Sequence, residues 1–253
     1  MLADFSVETF THEGKTRTVY RLGEGPAVIV IAELPGITPH VVGFARRVVD
    51  IGCTAVLPHL FGEPGSDDVV GAVRSVVPAC VSREFAAWAT GRTSPVVGWL
   101  RALAAREHER CGGPGVGAVG MCFTGGFALG MFVEPAVVAP VMSQPSLPLG
   151  ITRKARRDIQ LDPGDLAAVQ RRLEDDPALC VIGLRFRNDP LVPGARFHTL
   201  RELLGDRFVG VEIPGRNHSV LTRHLVDEPG HPTRDALDRV LDLFRRQLLA
   251  AAP

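Results

Sequence analysis

Short apolar runs rich in β-branched residues alternate with stretches of helical periodicity along most of this chain. The clearest run is "PAVIVIAEL" (26–34), nearly continuous in apolar residues, as a strand covered on both faces requires. "HVVGFARRVVDIG" follows, with apolar positions at helical spacing and a glycine stop. "CTAVLP" (53–58) predicts the next strand. "SPVVGWLRALAAREHERC" (94–111) predicts a helix capped by Ser94, with Pro95 at its first position and a Trp99, Leu100, Leu103 stripe. The rhythm continues with "GVGAVGM" (115–121), "TGGFALGMFV" (124–133) and "PAVVAPVMS" (135–143). It ends with "LCVIGLRF" (179–186), "RFVGVEI" (207–213) and the helical "TRDALDRVLDLFRRQLLAA". Such alternation predicts an α/β fold, a mostly parallel central sheet with helices on both faces.

The first strands depart from this rhythm. "SVETFTHEGKTRTVYRLG" (6–23) alternates polar and apolar residues around "EGK", which predicts an antiparallel hairpin at the sheet edge. Residues 61–93 carry Pro, Gly and Asp and break the pattern. Residues 144–178 include "RKARRDIQLDPGDLAAVQRRLEDD", a charged helical excursion between two strands, read as a solvated face or a partial lid. No repeat interrupts residues 1–253, so one domain is expected.

Charge and cysteine usage narrow the function. The 28 basic and 28 acidic residues cancel, so neither nucleic acid nor an anionic membrane is an expected partner. No apolar run of about 18 residues is present to span a bilayer, and "MLADFSVETF" is not a signal peptide. The five cysteines (Cys53, Cys80, Cys111, Cys122, Cys180) are scattered, with no C-x-x-C pair. That argues against a disulfide framework or structural zinc and for a reducing cytoplasm. The eight histidines lack H-x-x-x-H spacing, so no metal is expected. Only Lys15 and Lys154 are lysines, and with the Ala, Gly, Val and Pro richness this suggests a GC-rich bacterial genome.

Cys122 sits in "GMCFTGG", after a predicted strand and at the start of a predicted helix. This is one residue class away from G-x-S-x-G, the strained strand-to-helix turn that lifts a nucleophile above a sheet edge. A buried structural cysteine in a βα turn is the plain alternative. The order of the other residues favours the nucleophile. Asp189 in "RNDPLVP" and His218 in "GRNHSV" each follow a predicted strand, giving nucleophile, acid and histidine in chain order. The N–H of Phe123 at the helix start and the N–H of Leu34 after the first core strand are the expected oxyanion donors. Glu33 directly follows the apolar run 26–34, where a carboxylate is costly unless functional or paired.

These stretches, with "AELPGI" and "GCTAVLPHLFG", resemble the dienelactone hydrolase family of α/β hydrolases over residues 27 to about 223. The resemblance implies an α/β-hydrolase fold with an eight-stranded, mostly parallel sheet. It implies a Cys122–His218–Asp189 triad and hydrolysis of a carboxylic ester or lactone without a cofactor. It also implies that Glu33 contacts the resting cysteine. Thr124 stands where the family usually has glycine, and His59 where aspartate is common. Arg223, displaced by one residue, and Arg83 are the candidates for binding a substrate carboxylate. The competing function is a non-catalytic binding protein of the same fold, or a redox sensor at Cys122.

Overall fold

The β-branched runs pair into a single eight-stranded sheet. The computed structural model describes residues 1–66, 85, 90–147 and 152–250. Strands β1 (Ser6–His12) and β2 (Lys15–Leu22) form the expected antiparallel hairpin. β3 (Ala27–Ile31), β4 (Thr54–Pro58), β5 (Val116–Met121), β6 (Val137–Ser143), β7 (Val181–Phe186) and β8 (Phe208–Ile213) complete the order β1-β2-β4-β3-β5-β6-β7-β8. β2 joins β4 antiparallel, and every pairing from β4 to β8 is parallel. The carboxyl ends of six strands therefore share one edge, which in open parallel sheets is the ligand-binding edge.

Alternation along the strands feeds two cores. Ile29 and Ile31 of β3 join one face, and Val28 and Val30 join the other. Helices α2 (Val96–Cys111) and α3 (Gly125–Met131) cover the first face through Trp99, Leu100, Leu103 and Phe127. α1 (Pro39–Asp50) and α7 (Pro232–Phe244) cover the second through Val41, Phe44, Val48, Leu237 and Val240. Each such fully buried large side chain contributes about 1.5–3 kcal/mol.

Ser94 does not cap α2. Its hydroxyl donates to the carbonyl of Phe85, and the cap position falls to Pro95, which has no side-chain oxygen. The excursion after β6 carries α4 (Arg153–Arg157) and α5 (Pro163–Asp175). It is docked rather than merely solvated: Ala155, Ile159, Leu161, Val169 and Leu173 are buried. Asp165 accepts from Arg101 of α2, and Arg172 donates to carbonyls at residues 134, 135 and 137. α6 (Gly194–Leu204) lies between β7 and β8. Arg83 and Cys80 lie outside the described residues.

Candidate active site

The turn after β5 is strained at one residue. Cys122 has φ of 55°, a left-handed conformation that L-residues adopt only when their surroundings enforce it. Gly120 permits the turn: a Cβ there would collide with the carbonyl oxygen of Thr124. Gly125 permits a second approach, because its Cβ would lie 2.6 Å from Cα of Pro145. Thr124 supplies the enforcement. Its buried hydroxyl accepts from the N–H of Met121 at 2.9 Å, and its proton has the carbonyls of Met121 (2.9 Å) and Ile31 (3.1 Å) within reach. The departure from glycine at this position thus ties the elbow to the end of β3.

Asp189 and His218 meet beyond β7 and β8. Oδ2 of Asp189 accepts from Nδ1 of His218 at 2.6 Å, and Oδ1 accepts from the N–H of Leu191 at 2.9 Å. This pairing fixes the tautomer, directing Nε2 away from the carboxylate. Nε2 is buried and has no hydrogen-bond partner among the described residues. Burial disfavours the charged imidazole, but the hydrogen bond to Asp189 and the neighbouring Cys122 sulfur outweigh it, raising its pKa to about 10. His224 answers differently: burial pushes its pKa down, and its Nδ1 accepts from the N–H of Ser219.

The structure corrects the expected role of Glu33. It does not hold the Cys122 sulfur. One carboxylate oxygen accepts from Ser219 Oγ at 2.8 Å and from Gln144 Nε2 at 3.0 Å; the other accepts from the hydroxyl of Thr222. Ser219 and Thr222 thereby fasten the end of β3 to the loop that carries His218, and Gln144 ties it to the end of β6. The sulfur of Cys122 lies instead 3.1 Å from Oγ of Ser146. Arg223, a candidate for the substrate carboxylate, is exposed.

Two residues at the edge escaped the sequence reading. Gln144 is fully buried, with φ of 34°; its side-chain oxygen accepts from the N–H of Val220 at 3.2 Å while its nitrogen bonds Glu33. It therefore joins the ends of β3 and β6 to the His218 loop. Ser146 is 5% exposed and donates its N–H to the Cys122 carbonyl at 2.9 Å. A signal for both was available: "SQPS" is a polar cluster directly after an apolar strand, as Glu33 is. One side of the site is apolar, where Phe123 packs against Phe61, Phe85 and Phe127, with Leu34 and Leu60 partly buried beside them. No group of three His, Cys, Asp or Glu among the described residues could hold a metal ion. No helix among them is long and apolar enough to cross a membrane.

The chain is similar in fold to several solved hydrolases. A dienelactone hydrolase-like promiscuous phosphotriesterase from metagenomic libraries aligns over 96% of this chain and 98% of its own, at 17% identity and a TM-score of 0.62. A cold-adapted esterase from an Arctic intertidal metagenomic library aligns over 96% and 93%, at 14% identity and 0.61. A 2,6-dihydroxy-pseudo-oxynicotine hydrolase aligns over 94% and 68%, at 17% identity and 0.59. No curated protein matches the chain in sequence. The sequence profile of the dienelactone hydrolase family matches residues 16–248, and the chain belongs to that family.

Proposed function

We propose that this protein hydrolyses a carboxylic ester or lactone through an acyl-enzyme on Cys122. The observation that carries the reading is the left-handed backbone of Cys122 at a strand-to-helix turn, on the same edge as the His218–Asp189 pair. A structural cysteine has no need of a strained turn or an oriented imidazole.

The mechanism follows from the charges. The thiol proton rests on Nε2 of His218, whose pKa is raised to about 10, and the thiolate attacks the substrate carbonyl. The N–H groups of Leu34 and Phe123 receive the oxyanion. The tetrahedral intermediate collapses by breaking the bond to the leaving oxygen, which takes the proton from Nε2. Acylation removes the negative charge on sulfur, one of the causes that raise the imidazole pKa. His218 is then free in its neutral form to take a proton from water, which attacks the thioester, releases the acid and returns the proton to sulfur. Asp189 orients the ring throughout. An amine leaving group is disfavoured, because thiolate leaves more readily than an amine anion. The described parts of the excursion, residues 144–147 and 152–178, act as a partial cover whose inner edge is Ser146. Cys53, Cys111, Cys122 and Cys180 are unpaired, which supports a reducing compartment such as the cytoplasm.

The test is Cys122→Ala with a simple aryl ester. Turnover should fall by roughly 10⁴-fold or more, and mass spectrometry of the wild type after a short pulse should find an acyl group on Cys122. Wild-type turnover in the variant would refute the reading. Sulfenic acid without any acyl adduct would favour a redox role.

A further inference from the structure

Two buried polar groups face the Cys122 sulfur, and among the described residues neither bonds any other side chain. One is Nε2 of His218, which feels the sulfur electrostatically and has no other partner among the described residues. The other is Oγ of Ser146, 3.1 Å from the sulfur. A hydroxyl is a stronger donor than a thiol, and a buried donor without an acceptor is costly. One assignment satisfies both groups: Ser146 donates to sulfur, and the proton shared by sulfur and Nε2 lies between them. With that proton on Nε2, the same atoms present a hydroxyl donating to a thiolate beside an imidazolium. The opposite assignment, with the thiol donating to Ser146, leaves Nε2 unsatisfied and the hydroxyl proton without an acceptor.

From this accounting we infer that Ser146 donates its hydroxyl hydrogen bond to the Cys122 thiolate, stabilising and aiming the nucleophile. It takes the place beside the sulfur that the family resemblance assigned to Glu33. The inference rests on the reading of Cys122 as the nucleophile. Ser146 keeps its own proton; the only proton that moves passes from sulfur to Nε2.

The position of Ser146 is built, not incidental. Pro145 before it packs on Gly125 at the start of α3. The Pro145 carbonyl accepts from Arg196 of α6 at 2.6 Å. Arg196 is 1% exposed and also donates to the carbonyls of Asp158 (2.6 Å) and Ala155 (3.0 Å). Burial of this guanidinium pulls its pKa down to about 10, so its three acceptors are the return for a costly placement. They tie Pro145, Ala155 and Asp158 to α6 and hold the Ser146 hydroxyl on the sulfur.

The experiment is the pH dependence of iodoacetamide alkylation at Cys122 in the full chain, read by mass spectrometry. Ser146→Ala should move the alkylation midpoint up by about one pH unit, the scale of a lost charge-assisted hydrogen bond. Ester turnover below that midpoint should fall by about tenfold. Ser146→Thr, which retains the hydroxyl, should restore most of both. A second variant, Ser146→Gly, is measured in parallel, so that either folded protein gives the reading. An unchanged midpoint, or one moved down, overturns the inference. A raised midpoint without acylation of the wild type by an ester would leave this inference standing and refute the hydrolase reading.

Discussion

Glu33 and Glu107 are both buried carboxylates, yet they are held in opposite ways. Glu33, at the carboxyl ends of the parallel strands, accepts from neutral donors among the described residues: Ser219, Thr222 and Gln144. Glu107, near the end of α2, faces the guanidinium of Arg21 on β2, and its Oε1 has no hydrogen-bond partner among the described residues. Burial raises the Glu107 pKa more than Arg21, Arg106 and Arg110 lower it. One carboxylate organises three loops around a reaction site. The other fastens the hairpin to a helix and remains under electrostatic stress. A buried charge in this molecule is therefore not by itself a mark of function; the number of loops its partners bring together is.

The largest effect that would sharpen this contrast is on stability. Removing one partner of a buried ion pair typically costs about 3–5 kcal/mol. Arg21→Met should lower the urea unfolding free energy by that amount, while ester turnover per folded molecule stays at the wild-type level. A loss of turnover in the folded variant would place the hairpin in the site and break the contrast.

Glu33→Gln should behave in the reverse sense. A carboxamide turns one acceptor into a donor facing Gln144 or a hydroxyl, a mismatch worth about 1–3 kcal/mol. Turnover should fall roughly tenfold as the His218 loop loosens. The alkylation midpoint of Cys122 should stay where it is, because no hydrogen bond joins Glu33 to the sulfur. A moved midpoint would return Glu33 to the thiol.

The two titrations come next. His218 has its folded pKa raised from 6.5 to about 10. Its charged form therefore stabilises the fold fully below pH 6.5, and the contribution drains away as pH rises through about 10. Nitrogen-resolved NMR should find the imidazole protonated well above neutrality, with a lower midpoint in Cys122→Ala, where one of its causes is gone. A neutral imidazole at pH 7 in the wild type would refute the assignment.

The smallest effect belongs to Glu107. Its folded pKa lies above the ordinary 4.5, so the folded state holds the proton longer. The associated stability is present below pH 4.5 and is lost as pH rises through the folded value. Glu107→Gln should flatten that slope in denaturation curves taken across mildly acidic pH. An unchanged slope would remove the asymmetry between the two carboxylates.

Much of this architecture is written locally. β3 is legible because its apolar run is nearly continuous, α1 because its apolar residues recur at helical spacing, and the elbow because glycines flank Cys122. Strand ends were legible too, which is how Asp189 and His218 could be singled out as a pair that the fold brings to 2.6 Å. Local pattern misled where a local partner was assumed. Ser94 has the sequence of a cap, but its hydroxyl reaches Phe85 instead.

By itself, the sequence determined the alternation, the buried faces, the turn that lifts Cys122 and the chain order of cysteine, acid and histidine. Those follow from periodicity and backbone sterics, which act over a few residues. Only the tertiary structure decided which side chains answer one another across the strand ends. Gln144 meets Glu33 across 111 positions, and Ser219 meets it across 186. Such pairs depend on the spatial order of strands and on the loop conformations beyond them. So it fell to the assembled edge to give Glu33 to the histidine loop and the cysteine sulfur to Ser146.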